Sequence, residues 1–416
     1  MKRLTNRLPL AGAAALSAAL AAPPAPAQTQ GQTQATTGPV ATYWMSTETS
    51  SGLPGMGAMG RGGGFDIMAM MSGGGSSVNR TLRLELQSSR QTDAPSAHHM
   101  AADALGVRAP LPLRSSTPAG PPERDRSLPS EPPEFGRARL LIYSGCGAET
   151  RAGQPLVIDI SRDGVSGMSR LTGALTFNGA IGPMPGPGRT YGDWPHGDNR
   201  ETIGPNASLI GTHTVRGNYT PDIEITLSPQ QDFLEPLRLS GTAPGDPSGL
   251  GWNSVPSARA YFASTMGAAE NGDMVIWSSS EAPVFPYMMP TWLTDGDLER
   301  LLGDRTLLSA DTTQCRIPDA VQATAPESML KVQAFGGDVD FSYPPRPADR
   351  RQPWNIEYVV KVRYASNVTT IMGMDLSEMG GADARDEARP PASPIPSAGD
   401  AARSILRGLG GLRRRN

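Results

Sequence analysis

Eight short runs rich in Val, Ile, Leu, Tyr and Phe lie between residues 138 and 365, and Gly, Pro, Asn or Asp punctuate most of the gaps. They are Ala138–Ser144, Pro155–Ile160, Ser208–Arg216, Ile223–Leu227, Arg259–Ser264, Asp273–Ser278, Met329–Phe335 and Glu357–Ala365. Such runs, bounded by turn residues and with almost no helical period, predict strands. Tyr358, Val360, Val362 and Tyr364 alternate with Lys361 and Arg363, so this strand has one apolar and one charged face. The expected class is all-β: antiparallel β-sandwich-type domains with one short helix, flanked by disordered linker and tail. That helix follows Thr294, with Asp295 and Asp297 at its start, Leu298, Leu301 and Leu302 as its stripe and Gly303 at its end.

Outside these runs the composition argues against continuous core. The chain holds 48 glycines and 40 prolines, about a fifth of its 416 residues, where about 12% is usual. Residues 1–27 read as a signal peptide: Lys2, Arg3 and Arg7, then the apolar Leu8 to Ala22, then the small-residue site Ala25-Pro26-Ala27. The compartment expected from this is periplasmic or secreted. Residues 28–90 read as a flexible leader followed by a hairpin of Ala41–Thr49 with Thr81–Ser88, joined through a Gly- and Met-rich loop. Residues 91–136 carry repeated Pro and read as an extended, mostly disordered linker in which His98 and His99 have no packed site. Residues 137–236 and 237–374 are expected as two β domains. Residues 375–416 form a basic tail, with Arg403, Arg407, Arg413, Arg414 and Arg415, suited to peripheral contact with an anionic membrane.

Net charge is −3, so nothing drives a general association with nucleic acid. Positive charge is nearly all Arg, with Lys only at positions 2, 331 and 361.

Export gives the two cysteines a meaning. Cys146 and Cys315 are predicted to form a disulfide, because oxidising compartments preserve such bonds. A nucleophilic thiol at Cys146 is the alternative, but neither cysteine has a histidine near it in sequence.

Candidate chemistry is sparse. His196 and His213, with Asp193 or Asp198, form a candidate two-His, one-carboxylate metal set or a histidine base with an orienting acid. The competing reading is a surface loop beside a hydrogen-bonded strand histidine. Met56, Met59, Met68, Met70 and Met71 supply thioethers that suit Cu(I), or else an adaptable apolar loop. Trp252, Tyr261, Trp277, Tyr287 and Trp292 are either an aromatic binding platform or core. The Gly-x-Ser-x-Gly elbow, His-Glu-x-x-His and Gly-x-x-x-x-Gly-Lys do not occur, and no cofactor is expected.

Leu250-Gly251-Trp252 followed by Ala258-Arg259-Ala260-Tyr261-Phe262 resembles the second and third strands of fibronectin type III modules, over about residues 237–281. Tyr143-Ser144-Gly145-Cys146-Gly147, Gly217-Asn218-Tyr219-Thr220-Pro221 and Tyr343-Pro344-Pro345-Arg346-Pro347 are similar to segments of uncharacterised exported proteins of Gram-negative bacteria. The first resemblance implies a sandwich and a binding role; the second carries no activity. The function expected is a non-catalytic envelope binding or interaction protein, whose partner is a protein or another envelope component. A secreted hydrolase using carboxylates or His213, and a Cu(I)-binding protein, are the alternatives.

Overall fold

The computed structural model describes residues 37–52, 78–115, 139–159, 182–196, 203–243 and 249–372, with a few single positions between them. The expected signal peptide, the five methionines of the Met-rich segment, Asp198 and the basic tail lie outside the described residues.

The chain is all-β, built on one large sheet. Its strands are β1 (Ala41–Gly52), β2 (Asn79–Ser88), β5 (Arg139–Ser144), β6 (Leu156–Asp159), β7 (Thr190–Trp194), β12 (Ala260–Ala268), β13 (Met274–Ser278), β14 (Leu308–Ser309), β16 (Met329–Tyr343) and β17 (Tyr358–Ile371). They run in the order β6-β5-β13-β12-β16-β17-β1-β2-β7, with β14 beside β12. Strands from both segments expected as separate domains, and from the hairpin ahead of them, share this sheet. β1 and β2 pair antiparallel from Ala41↔Ser88 to Ser50↔Asn79. Two pairs depart from the antiparallel pattern, β1 with β17 and β13 with β5.

Two smaller sheets accompany it. One is four-stranded, in the order β4 (Leu111–Leu113), β3 (Ala97–Met100), β8 (Gly211–Gly217), β9 (Ile223–Leu227); the other joins β10 (Leu239–Ser240), β11 (Leu250–Trp252) and β15 (Gln314–Cys315). Alternation decides which side of the large sheet they cover. Tyr43 and Met45 on β1, Leu82, Leu84 and Leu86 on β2, and Val360 and Val362 on β17 share one buried cluster with Leu111, Leu113, Val215, Ile223 and Trp252 of the smaller sheets. This is the inner face, and burying each of its large side chains contributes about 1.5–3 kcal/mol.

The expected linker is therefore corrected for residues 97–113, which supply β3, β4 and a 3-10 turn at Asp103–Leu105. Only four inward positions, Ala97, His99, Leu111 and Leu113, carry the strand pattern, too few to stand out among prolines. Pro112 is tolerated because β4 is an edge strand, where a missing N–H disrupts least.

Helix α1 (Asp295–Gly303) is the anticipated one, with the Thr294 hydroxyl accepting from the Asp297 amide at 3.1 Å. A second, α2 (Asp319–Thr324), corrects the expectation of a single helix. Its six residues are too few to show a 3.6-residue period.

The predicted disulfide is formed. Cys146 and Cys315 are bonded with their Cα atoms 5.2 Å apart, tying the turn after β5 to the small sheet of β15. The Gly147 amide donates to the Arg316 carbonyl at 2.9 Å and the Asp319 amide to the Ala148 carbonyl at 2.9 Å, so backbone contacts flank the bridge. Among the described residues no helix is long and apolar enough to cross a membrane.

Candidate functional site

His213 and His196 occupy different settings. His213 points inward from β8, where its Nε2 lies 2.7 Å from the Leu209 carbonyl and its Nδ1 3.1 Å from Nε2 of His99. Nδ1 of His99 in turn lies 2.8 Å from the Tyr43 hydroxyl. A carbonyl only accepts, so Nε2 of His213 carries a proton and its Nδ1 accepts from His99. His99 then uses its remaining nitrogen to accept from Tyr43. The chain runs in one direction, Tyr43 to His99 to His213 to Leu209, and every ring nitrogen is used with both histidines neutral. Burial, then the neighbouring His213, hold His99 down at a pKa of about 3; burial lowers His213 too, and raises Tyr43 well above its ordinary range.

These contacts correct two expectations. His99 is wholly buried rather than in an unpacked linker. His213 has no lone pair left for a metal or a substrate proton, so the two-His, one-carboxylate set is not assembled. Among the described residues no group of three or more His, Cys, Asp or Glu side chains is placed to hold a metal ion.

His196 and Asp193 do come together. Nδ1 of His196 lies 2.8 Å from Oδ1 of Asp193, and both side chains are partly exposed. Asp193 also accepts from the Tyr191 hydroxyl at 3.3 Å. The pair sits at the end of β7, which continues into the neighbouring sheet because the Arg114 and Asp193 backbones exchange hydrogen bonds of 3.1 and 3.0 Å.

From Asp193 a polar ladder crosses the outer face of the large sheet. Register sets Asp193, Glu85, Trp44, Lys361 and Asp340 side by side on five successive strands, and the next rung holds Arg83, Ser46, Arg363 and Asp338. Glu85 is 3% exposed and its carboxylate is shared: Arg83 lies at 2.6 Å, the Tyr191 hydroxyl at 3.5 Å and Arg363 at 4.0 Å. Buried carboxylates persist only with such partners.

Arg363 is clamped between two indoles, its guanidinium carbon 4.7 Å from the Trp44 ring centre and 4.5 Å from that of Trp292. Its Nε donates to the Ser46 hydroxyl at 2.6 Å, and Trp292 is fixed by donating to the Thr47 carbonyl at 2.9 Å. Gly182 lies against Trp44 so closely that a Cβ there would stand 3.2 Å from the ring. Lys361 bonds both Asp338 and Asp340; desolvation alone would lower its pKa, but these two hydrogen bonds raise it overall.

The proposed aromatic platform divides. Trp252, Tyr261 and Trp277 are core, with Trp252 and Tyr261 in tilted contact at 5.6 Å, whereas Tyr287 is exposed and Trp292 serves the ladder. Sequence assigns no site role to Glu85, Arg363 or His99. For Glu85 and Arg363 the one visible trace is charge at strand positions next to a buried leucine or valine; His99 leaves none, since its neighbours are His98 and Met100. No protein-family model, no curated protein and no solved structure matches this chain.

Proposed function

We propose that this chain is an exported, non-catalytic binding protein of the cell envelope, and that its recognition surface is the tip of the β16–β17 hairpin. The observation that carries this reading is a group of ordered side chains at the rim of the core, with Tyr343 and Arg346 exposed and Trp354 half-buried. Tyr343, 49% exposed, stacks on Tyr358 at 5.4 Å with only 14° between the planes. Arg346 lies 5.2 Å over the ring of Trp354, whose indole N–H donates to the Pro344 carbonyl at 3.0 Å. Pro344, Pro345, Pro347 and Pro353 restrict the connecting backbone. Tyr, Trp and Arg side chains fixed in advance lose little freedom on binding, and they are the residue types that dominate interface energies.

The test uses the full chain immobilised against an envelope extract, beside a Tyr343→Ser, Arg346→Ala variant of unchanged circular dichroism. A component retained by the wild type and reduced at least tenfold on the variant supports the reading; equal retention overturns it. Export is tested by the N-terminal mass of protein from the periplasmic fraction, where a start at Gln28 is expected and an intact Met1 refutes the signal peptide.

The Asp193–His196 pair favours a second reading, a secreted hydrolase with His196 as base and Asp193 as its orienting acid. Turnover in a panel of esters and glycosides that is abolished by His196→Ala would put this reading first.

A further inference from the structure

A second polar row lies on the outer face of the large sheet. Register places Ser144, Ser278, Ser264, Lys331 and Thr369 directly beside one another on β5, β13, β12, β16 and β17. Side chains paired in this way stand about 5 Å apart at Cβ. Ser144, Ser278 and Ser264 are each two residues from the outer-face side chains Ile142, Ile276 and Phe262, so the hydroxyls share that face.

The hydroxyls of the row are buried and unevenly satisfied: Ser144 Oγ accepts from the Gln154 side-chain amide at 2.7 Å. Ser144, Ser278, Ser264 and Thr369 are all buried, and the Ser278 hydroxyl has no hydrogen-bond partner. Two apolar clusters flank it, one with Phe262, Val284 and Met289, the other with Ile142, Ile276 and Phe285. A few polar groups set among apolar side chains are the usual lining of a small-molecule site.

Lys331 is the one cation in this row, and it forms no ion pair with a described residue. Its surroundings oppose charge: desolvation lowers its pKa, and Glu48 offsets this only in part. The contrast with Lys361 is direct, since Lys361 is locked by Asp338 and Asp340 and its pKa is raised. In a chain whose cations are nearly all Arg, a Lys in a setting that disfavours its charged form is chemically distinct, because Arg keeps its proton in any such setting.

We propose that Lys331 is a reactive amine in a binding site for a small aldehyde or ketone, held as an imine with the Ser264 and Ser278 hydroxyls at its oxygen. The unprotonated nitrogen attacks the carbonyl carbon and the C–O π pair moves to oxygen, which takes one N–H proton through the serine hydroxyls. The carbinolamine then loses its oxygen, with the second N–H proton, as one water molecule. The product is a C=N bond to Lys331, and nothing is oxidised or reduced. This site is independent of the hairpin tip, and neither proposal fails with the other.

The full chain is incubated with propanal and sodium cyanoborohydride at neutral pH, and the extent of propyl addition is read at each lysine by peptide mass spectrometry. Addition at Lys331 at least tenfold faster than at Lys361 is expected; equal or slower addition overturns the proposal. Ser264→Ala with Ser278→Ala should slow trapping at Lys331 severalfold and leave Lys361 unchanged. An unchanged rate at Lys331 would overturn the carbonyl site, since an amine that is merely more open does not need the hydroxyls. A pH profile gives a separate readout, with half-maximal trapping at Lys331 reached at lower pH than at Lys361; coincident profiles count against the proposal.

Discussion

The two faces of the large sheet bury polar groups in opposite ways. On the inner face, Tyr43, His99 and His213 form a neutral chain in which each donor meets one acceptor, closed by the Leu209 carbonyl. On the outer face the ladder is built of ions: Glu85 shared by arginines, Arg363 between indoles, Lys361 between two aspartates. The inner solution is complete at one protonation state and fails at any other. The outer one tolerates the loss of a single partner better, because each charge has several.

The cover of the inner face is where the largest effect is expected. The Cys146–Cys315 bond closes a sequence separation of 169 residues and pins the sheet of β10, β11 and β15 to the end of β5. Replacing both cysteines by Ser should lower unfolding free energy by roughly 5 kcal/mol on the chain-entropy account. Denaturant melts measure it. A loss below about 2 kcal/mol would mean that packing of Trp252 and its neighbours holds this sheet without the bond.

Next comes the neutral chain itself. His99→Ala leaves the Tyr43 hydroxyl and Nδ1 of His213 without partners and opens a cavity, for an expected loss of about 3–4 kcal/mol. Acid acts on the same contacts. His99 titrates near 3 in the folded chain and near 6.5 when unfolded, so the unfolded chain takes up the proton first as pH falls. Stability is intact above pH 6.5 and is lost between 6.5 and 3, by about 1.4 kcal/mol per pH unit for this group. His99→Ala should flatten that slope. A slope unchanged by the mutation would place the acid sensitivity elsewhere.

Much of the inner face was legible because its signal is local. Leu82, Leu84 and Leu86, or Tyr358 to Tyr364, show their period within one strand, and the hairpin of β1 with β2 follows from two such runs. Two cysteines in a chain expected to be exported leave one pairing. The ladder was not legible, because its rungs join residues such as Ser46 and Arg363, brought side by side by a parallel pairing of the first and last described strands. His99 was missed for a different reason. Its strand is four residues long, and the prolines around it outweighed two inward positions.

Arg363 tests whether the ionic face is as tolerant as its shared partners suggest. Arg363→Met keeps apolar bulk between Trp44 and Trp292 but removes one cation from Glu85, which retains Arg83 and the Tyr191 hydroxyl. The expected loss is about 2 kcal/mol, smaller than for His99→Ala. A loss above about 4 kcal/mol would show that Arg83 does not compensate, and the contrast between the faces would fail.

At the open end of the ladder the same reasoning gives the smallest effect. His196 and Asp193 are 34% and 24% exposed at the side chain, so water competes for their contact and salt screens it. His196→Ala should therefore change stability by less than about 1 kcal/mol. A larger loss would make His196 part of the fold's ionic framework, since Asp193 stands opposite Glu85 and two carboxylates on adjacent strands repel unless cations lie near both. A negligible loss would leave the pair free for proton transfer, which is what the hydrolase reading of this edge requires. Unfolding measured at low and high salt separates the two cases, because a framework role persists at high salt and an exposed contact does not.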